Sequence, residues 1–435
     1  MMRWIKKIPL TLMVFLVILS CLWGSETRIT TMGYLANYYV SDDYNIWVFP
    51  STLVNYNKMI SVESYNDDGA LWSGGIHVPV SSSFVLGLYL RNRSQEIRYA
   101  DTELDSNWYP VHSSFFVRRW TLNSDLNKRE AAHQFDIFGG LRLTNADLGF
   151  HVSSYSSKMT ATYTDPSDSL VKNYEDRLGA RLYELGIGFK VNERSRLDGA
   201  LFYGTGNFAH IEGSRDTAQY KQPEGYNAYG VVARLLYAFS KNTVIVPFAG
   251  YMQCGEGYKW LVKDINKTQG ESTYKDKYAQ YTLGVAADLI PHEKNLVTLA
   301  GGLVYQSYTF EETWITGTPP PAPTYTQQTL PFLSIGLESK ITKWLGARFA
   351  FYELLNTHKE KIYNPINKSF DEVKLTGNQY NARFGVWFQF GRFQIDTLVD
   401  TEKFADFLQN GPYLLSGQPS ENGLFTQISV TYNFQ

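Results

Sequence analysis

The chain has 435 residues and a formal net charge of −2, with 15% aromatic and only 19% charged residues. Soluble domains carry nearer 25% charge, and mild acidity excludes the basic face that nucleic-acid binding requires. Beyond the first two dozen residues no stretch approaches the roughly 20 apolar residues of a membrane helix.

Arg3, Lys6 and Lys7 precede an uncharged apolar run over 8–23, which reads as a secretory signal peptide spanning residues 1–24. Its removal takes the charge from −2 to −5, since three cations leave and no acid does. Val17-Ile18-Leu19-Ser20-Cys21 also resembles a lipoprotein cleavage box, which would leave Cys21 as a lipid-bearing terminus. With cleavage beyond Cys21, Cys254 is alone and no intramolecular disulfide can form. Residues 25–56 are then either an ordered periplasmic lead-in or a plug, and 57–435 form the main body.

From about Asn57 the pattern is period-2 alternation. Phe84, Leu86, Leu88 and Leu90 share one face, against Val85, Gly87, Tyr89 and Arg91. Tyr281, Leu283, Val285, Ala287 and Leu289 oppose Gln280, Thr282, Gly284, Ala286 and Asp288. Phe384, Val386, Phe388 and Phe390 oppose Arg383, Gly385, Trp387 and Gln389. A sandwich would turn its apolar face inward and charge the outer one. A transmembrane barrel inverts this, with apolar residues toward lipid and a polar interior.

Connection lengths favour the barrel. Short links at 79–83, 144–147, 192–196, 240–243, 291–295, 342–344 and 391–393 alternate with long polar loops. The loops are placed at 92–132, 163–176, 210–226, 258–274, 314–328, 358–378 and 400–424. Short periplasmic turns and long extracellular loops are the expected asymmetry. Counting strands gives three before the 92–132 excursion and thirteen after it, so the expectation is an all-β, antiparallel up-and-down transmembrane barrel of about 16 strands (14 to 18). Within the excursion, 111–120 reads as strand or folded-in loop. Trp344, Phe390, Phe393 and Phe434 are placed at a girdle near the short turns, and Tyr258, Trp260, Trp314 and Tyr363 at one near the loops.

Two segments carry a family resemblance. Thr27-Arg28-Ile29-Thr30-Thr31-Met32-Gly33 and Asp42-Asp43-Tyr44-Asn45-Ile46-Trp47-Val48-Phe49-Pro50 resemble the opening of a loosely defined family of porin-like outer-membrane proteins from diderm bacteria. Gly411-Pro412-Tyr413-Leu414-Leu415-Ser416-Gly417 resembles that family's ending. The Asn45–Pro50 stretch is also faintly similar to the Asn-Pro-Ala hatch region of the long-chain fatty-acid transporter family, with Phe49-Pro50-Ser51 in its place. That second resemblance implies an N-terminal plug. The last strand, with Ile428, Val430, Tyr432 and Phe434 on one face, resembles the strand that barrel-assembly machinery recognises, save that Gln435 follows the aromatic.

With the apolar face outward, Arg91, Arg142, Arg234, Asp288, Glu338, Arg348 and Arg383 point inward as candidate pore-lining residues, together with Asp136, Asp198 and Lys340. In hydrocarbon each would cost a few kcal/mol, so the lumen must hold them. They form either a charged constriction that selects solutes or an ion-pair network that stiffens the wall. Arg348 and Arg383, on adjacent strands with Glu338 as the one evident acid, suggest a locally positive wall. His151 and Ser153 have the spacing of a barrel phospholipase pair, but Phe150 and Val152 look like the lipid-facing neighbours, which turns the pair inward as structural polar residues. Asp67-Asp68-Gly69 is a turn, 319–323 a stiff proline-rich tip, and 401–409 a short amphipathic helix. No histidine pair has helical metal-site spacing, and no cofactor is implied.

The expectation is a non-enzymatic outer-membrane channel for passive passage of small solutes. A plugged transporter of hydrophobic substrates stays open beside it, and a phospholipase-type barrel behind both. Expected partners are outer-membrane lipids, the assembly machinery through Tyr432 and Phe434, small solutes and, where the wall permits, further copies of the chain.

Overall fold

The computed structural model describes residues 26–66, 70–93, 132–164, 171–213, 218–263, 269–292, 294–313, 324–364, 369–400 and 427–434. The signal peptide, the Asp67–Gly69 turn, and segments 111–120, 319–323, 401–409 and 411–417 lie outside the described residues.

Three strands come first: β1 (Met59–Asn66), β2 (Ala70–Pro79) and β3 (Phe84–Arg93). Next follow β4 (Ala132–Arg142), β5 (Ala146–Thr164), β6 (Val171–Asn192), β7 (Ser195–Gly213) and β8 (Ala218–Ser240). β9 (Thr243–Lys263), β10 (Gln269–His292), β11 (Asn295–Thr313) and β12 (Thr324–Lys340) continue the meander. β13 (Leu345–Asn364), β14 (Ser369–Phe390), β15 (Phe393–Asp400) and β16 (Gln427–Asn433) complete it. Each strand pairs antiparallel with its sequence neighbours, and β1 pairs with β16 from Met59↔Asn433 to Tyr65↔Gln427, closing a sixteen-stranded barrel. Closure leaves no edge carrying unpaired backbone groups.

All seven short links fall where alternation placed them. The long loops do not. Among the described hairpins, β5 and β6 stay paired up to Thr164↔Val171, and β13 and β14 up to Asn364↔Ser369. Within 163–176, 210–226, 258–274 and 358–378, most of what reads as loop is therefore strand that has left the membrane. There both faces meet water, so alternation disappears while the hydrogen-bond ladder continues. Over 369–378 every residue of β14 is exposed.

The outer face is apolar where lipid would be. Leu185, Leu201, Leu283, Val285, Leu333 and Phe349 are exposed large hydrophobics. At its lower rim Trp344 stacks with Phe388 and Phe390 at 6.3 Å each. At its upper rim Tyr183, Tyr203 and Tyr229 pair across β6 to β8, and Tyr251, Tyr281 and Tyr305 across β9 to β11. This tyrosine row sits lower than the girdle expected at Tyr258 and Trp260. From Tyr281 down to Ile290 the chain advances about 30 Å, or ~23 Å of height at a tilt of ~40°, which matches a barrel's apolar band. The same strand rises a further ~30 Å above Tyr281.

Candidate functional site

The lumen is occupied at its short-turn end by residues 26–55. They fold as two short helices, α1 (Glu26–Thr31) and α2 (Ala36–Tyr39), and two 3-10 helices, η1 (Asp43–Trp47) and η2 (Pro50–Asn55). No strand forms in this segment, so the extended lead-in is not what the structure contains. Local chemistry explains each turn. Asp42 caps η1 through a reciprocal box, accepting from Tyr44 N at 3.0 Å while Asn45 Oδ1 accepts from Asp42 N at 2.8 Å. Pro50 opens η2 at a position whose N–H would be unpaired in any case. Between α1 and α2 the chain passes through left-handed conformations at Gly33 (φ 123°) and Leu35 (φ 56°). The two N-terminal segments that carry the family resemblance thus lie within the part that fills the barrel.

Wall glycines receive this insert. A Cβ on Gly149 would lie 2.2 Å from Pro50 C, and one on Gly336 would lie 2.4 Å from Met32 O. Backbone meets backbone at both places, so any side chain would displace the insert. The small inward residues that alternate with the lipid-facing ones are its docking track. Ile29, Met32, Leu35, Ile46, Val48, Phe49 and Leu53 are almost wholly buried against it.

The tightest anchor is Trp47. Its ring sits in a socket formed by Tyr89 (5.0 Å), Phe138 (4.7 Å) and His151 (5.3 Å), each edge-on, with the Arg91 guanidinium 3.4 Å from its centroid. A desolvated cation over an indole face is worth about 2 kcal/mol or more. Behind the socket, Arg91 pairs with Asp136 at 3.3 Å. His151 stacks on Phe138 at 4.0 Å and meets Asp136 through Nε2 (2.9 Å) and Glu184 through Nδ1 (2.5 Å). A neutral imidazole can donate to only one of them, so this geometry describes an imidazolium, or a carboxylic acid in one of the two partners. Ser153 accepts from Gln134 Nε2 at 3.0 Å, and neither nitrogen of His151 is directed to it. No nucleophile–base pair is assembled.

The remaining candidates are placed as follows. Arg234 bonds Asp198 (3.0 Å), Tyr38 O and Asn45 Oδ1 (3.3 Å each) and lies over Phe49. Asp198 also meets Arg196 (2.7 Å), which reaches Asp147 (2.6 Å), and Asp147 meets Arg142 (3.3 Å). Arg142, at the rim, donates to Asn55 Oδ1. Asp288 accepts from Thr298 at 2.9 Å. Arg348 is held by Glu338 (2.5 Å) and by Asp396. Arg383 donates to Thr30 O at 3.1 Å and stands 5.2 Å over the Tyr352 ring. Arg348 thus has a second acid beside Glu338, and Arg383 a carbonyl of the insert.

Sequence reasoning overlooked Arg28, Asp42, Asp147, Glu184 and Asp396. Glu184, between outward Tyr183 and Leu185, and Asp396, between Ile395 and Thr397, were readable as inward by the same alternation. Arg28 and Asp42 lie on the insert, where no periodicity exists to orient them. Arg28 joins Asp42 (2.6 Å) to Glu338 (2.8 Å). Beside this bridge a cavity of about 340 Å³ is lined by Arg28, Asp42, Asp43, Glu338, Arg348, Trp387, Thr431 and Asn433, among others.

A closed sixteen-stranded wall with an apolar outer belt is that of a bacterial outer-membrane protein. No family model matches the chain, and no curated protein does. Among solved structures it is similar to the Pseudomonas putida toluene transporter TodX, at 10% identity and TM-score 0.40 over 95% of this chain and 97% of that one. It is similar to the CymD monoaromatic hydrocarbon channel at 11% identity and TM-score 0.39, over 95% and 98%. A third is the ferric citrate transporter FecA, at 9% and 0.37, over 79% and 65%. Likeness at this level carries no information on activity.

Proposed function

We propose that the protein is a gated transport barrel of the outer membrane, in which residues 26–55 act as a plug and small solutes cross only when part of it shifts. The observation that carries this reading is the burial of the whole segment against inward-facing wall residues, with Ile29, Met32, Ile46, Phe49 and Leu53 at 0% exposure. An open porin would present its lumen charges to water. Here Arg91, Arg234, Arg348 and Arg383 are each 2–4% exposed and bonded to the wall or the insert. Tyr432 and Phe434 keep the role of an assembly signal in this reading.

Planar-bilayer recording tests it. The full chain should give little steady current, and a variant lacking residues 26–55 a large, steady one. Gly149→Val, which dislodges the insert without deleting it, should also raise current. Steady porin-like conductance from the intact chain would reject the gated reading.

A further inference from the structure

We propose that the solute leaves on one side of the plug only, between α1 and the β13–β16 wall, and that the Arg28 bridge is the gate. This rests on the gated reading above and adds where the gate lies.

The plug is held very differently around its circumference. Toward β3–β6 it is locked by the Trp47 socket and by backbone seated on Gly149 and Gly186. Beyond α1, toward β9, β12 and the neighbouring part of β13, it is locked by aromatic packing, Tyr38 on Phe248 (5.2 Å) and Tyr34 on Phe332 (5.3 Å) and Tyr352 (5.7 Å). α1, which packs against β13–β16, is tied to the wall by polar contacts from three strands: Arg28 to Glu338 on β12, Thr27 N to Glu63 Oε1 on β1 (3.3 Å), and Arg383 on β14 to Thr30 O. Water can replace polar contacts at little net cost, because protein–water bonds substitute for those lost. It cannot replace buried aromatic packing in that way.

Three further features fall on this side. The cavity of about 340 Å³ lies here, at the short-turn end. Two of its lining residues, Trp387 and Thr431, are buried yet carry Nε1 and Oγ1 atoms without a hydrogen-bond partner among the described residues. They suit a passage taken by water and polar groups. The wall behind is stitched by a side chain: Thr397 Oγ1 accepts from Val386 N (3.1 Å) and donates to Val386 O (2.9 Å). Finally, Gly33 and Leu35, both left-handed, separate α1 from the rest of the plug and give it a place to turn. Opening therefore needs only that Arg28 leave Glu338 and α1 swing, while Trp47 stays seated.

Two cross-links in the full-length chain discriminate the sides. Arg28→Cys with Glu338→Cys ties α1 to β12. Asn55→Cys with Arg142→Cys ties η2 to β4. Both are made in a Cys254→Ser background and joined by a reducible bis-methanethiosulfonate, with potassium chloride current as readout. The reduced Arg28/Glu338 variant should conduct several-fold more than the parent and fall to background when cross-linked. Cross-linking the Asn55/Arg142 pair should leave that variant's current unchanged. If only the second cross-link stops current, the exit is on the other side. If both stop it, the plug moves as one body and the one-sided gate is wrong, though the gated barrel stands. Current that neither cross-link stops, or none from any variant, overturns both readings.

Discussion

Replacing Trp47 by alanine should free the locked side of the plug. The ring is buried and makes three edge-on aromatic contacts and one cation contact. Truncating a buried tryptophan costs about 3–5 kcal/mol, and Arg91 then faces an empty socket with part of its compensation gone. Each 1.4 kcal/mol is tenfold in an equilibrium, so the population with η2 undocked should rise roughly 10²- to 4 × 10³-fold. Thr52, 3% exposed on η2, reports that state when changed to cysteine. Maleimide labelling of Thr52→Cys in detergent or vesicles should accelerate by a comparable factor in the Trp47→Ala background, and less with Trp47→Phe. Unchanged labelling in Trp47→Ala would show that the socket does not hold the plug.

Leu283→Arg, at a lipid-facing position, should destabilise the barrel by about 2–4 kcal/mol in urea unfolding. Thr282→Arg, inward and beside Tyr38, should leave the wall folded and instead raise channel current by dislodging α2. Gly336→Val should do the same through Met32, and a current equal to that of the parent would refute the docking-track reading. Asp42 gives a pH test. Burial opposes its ionisation, but Asp43, Arg28 and the Tyr44 N–H together hold its carboxyl below the ordinary 3.8. A depressed value means the stabilisation is complete above the ordinary range and lost as pH falls through the lowered one. Current should therefore rise on acidification below about pH 4, and Asp42→Asn should flatten that step.

The wall was legible in the sequence because lipid on one side and a filled lumen on the other impose period 2 on every strand. Leu283 against Thr282 and Phe384 against Arg383 sort as their neighbours in the fold do. The short turns were legible because alternation breaks there abruptly. The upper hairpins were not, since neighbours such as Lys374 and Leu375, on opposite faces of β14, both meet water and carry no directional signal, although the backbones stay paired. The insert formed by residues 26–55 carried no signal in the sequence beyond resemblance. Its pieces run four to six residues, too short for an amphipathic period to register. Its partners lie up to 353 residues away in the chain, as Thr30 and Arg383 do. Alternation placed Arg348 inward and would have placed Asp396 there too, but it gives no sign that the two meet across β14.

On the gated reading proposed above, the charges inside this barrel would let residues 26–55 be both fitted and releasable. An insert held all round by aromatic packing would be fixed for the life of the protein, because every contact broken exposes apolar surface at about 25 cal/mol per Å². Ion pairs such as Arg28–Glu338, which joins the insert to the wall, and Arg234–Asp198, a wall pair whose guanidinium reaches Asn45 of the insert, behave otherwise. Their mutual attraction is largely offset by the water they give up, so a buried pair contributes little net holding energy while strongly disfavouring any register that leaves one member unpaired. Distributed around the lumen, such pairs fix where the plug sits without fixing it permanently. Concentrated beside α1, with water already able to reach Arg28, they make that sector the one where release costs least.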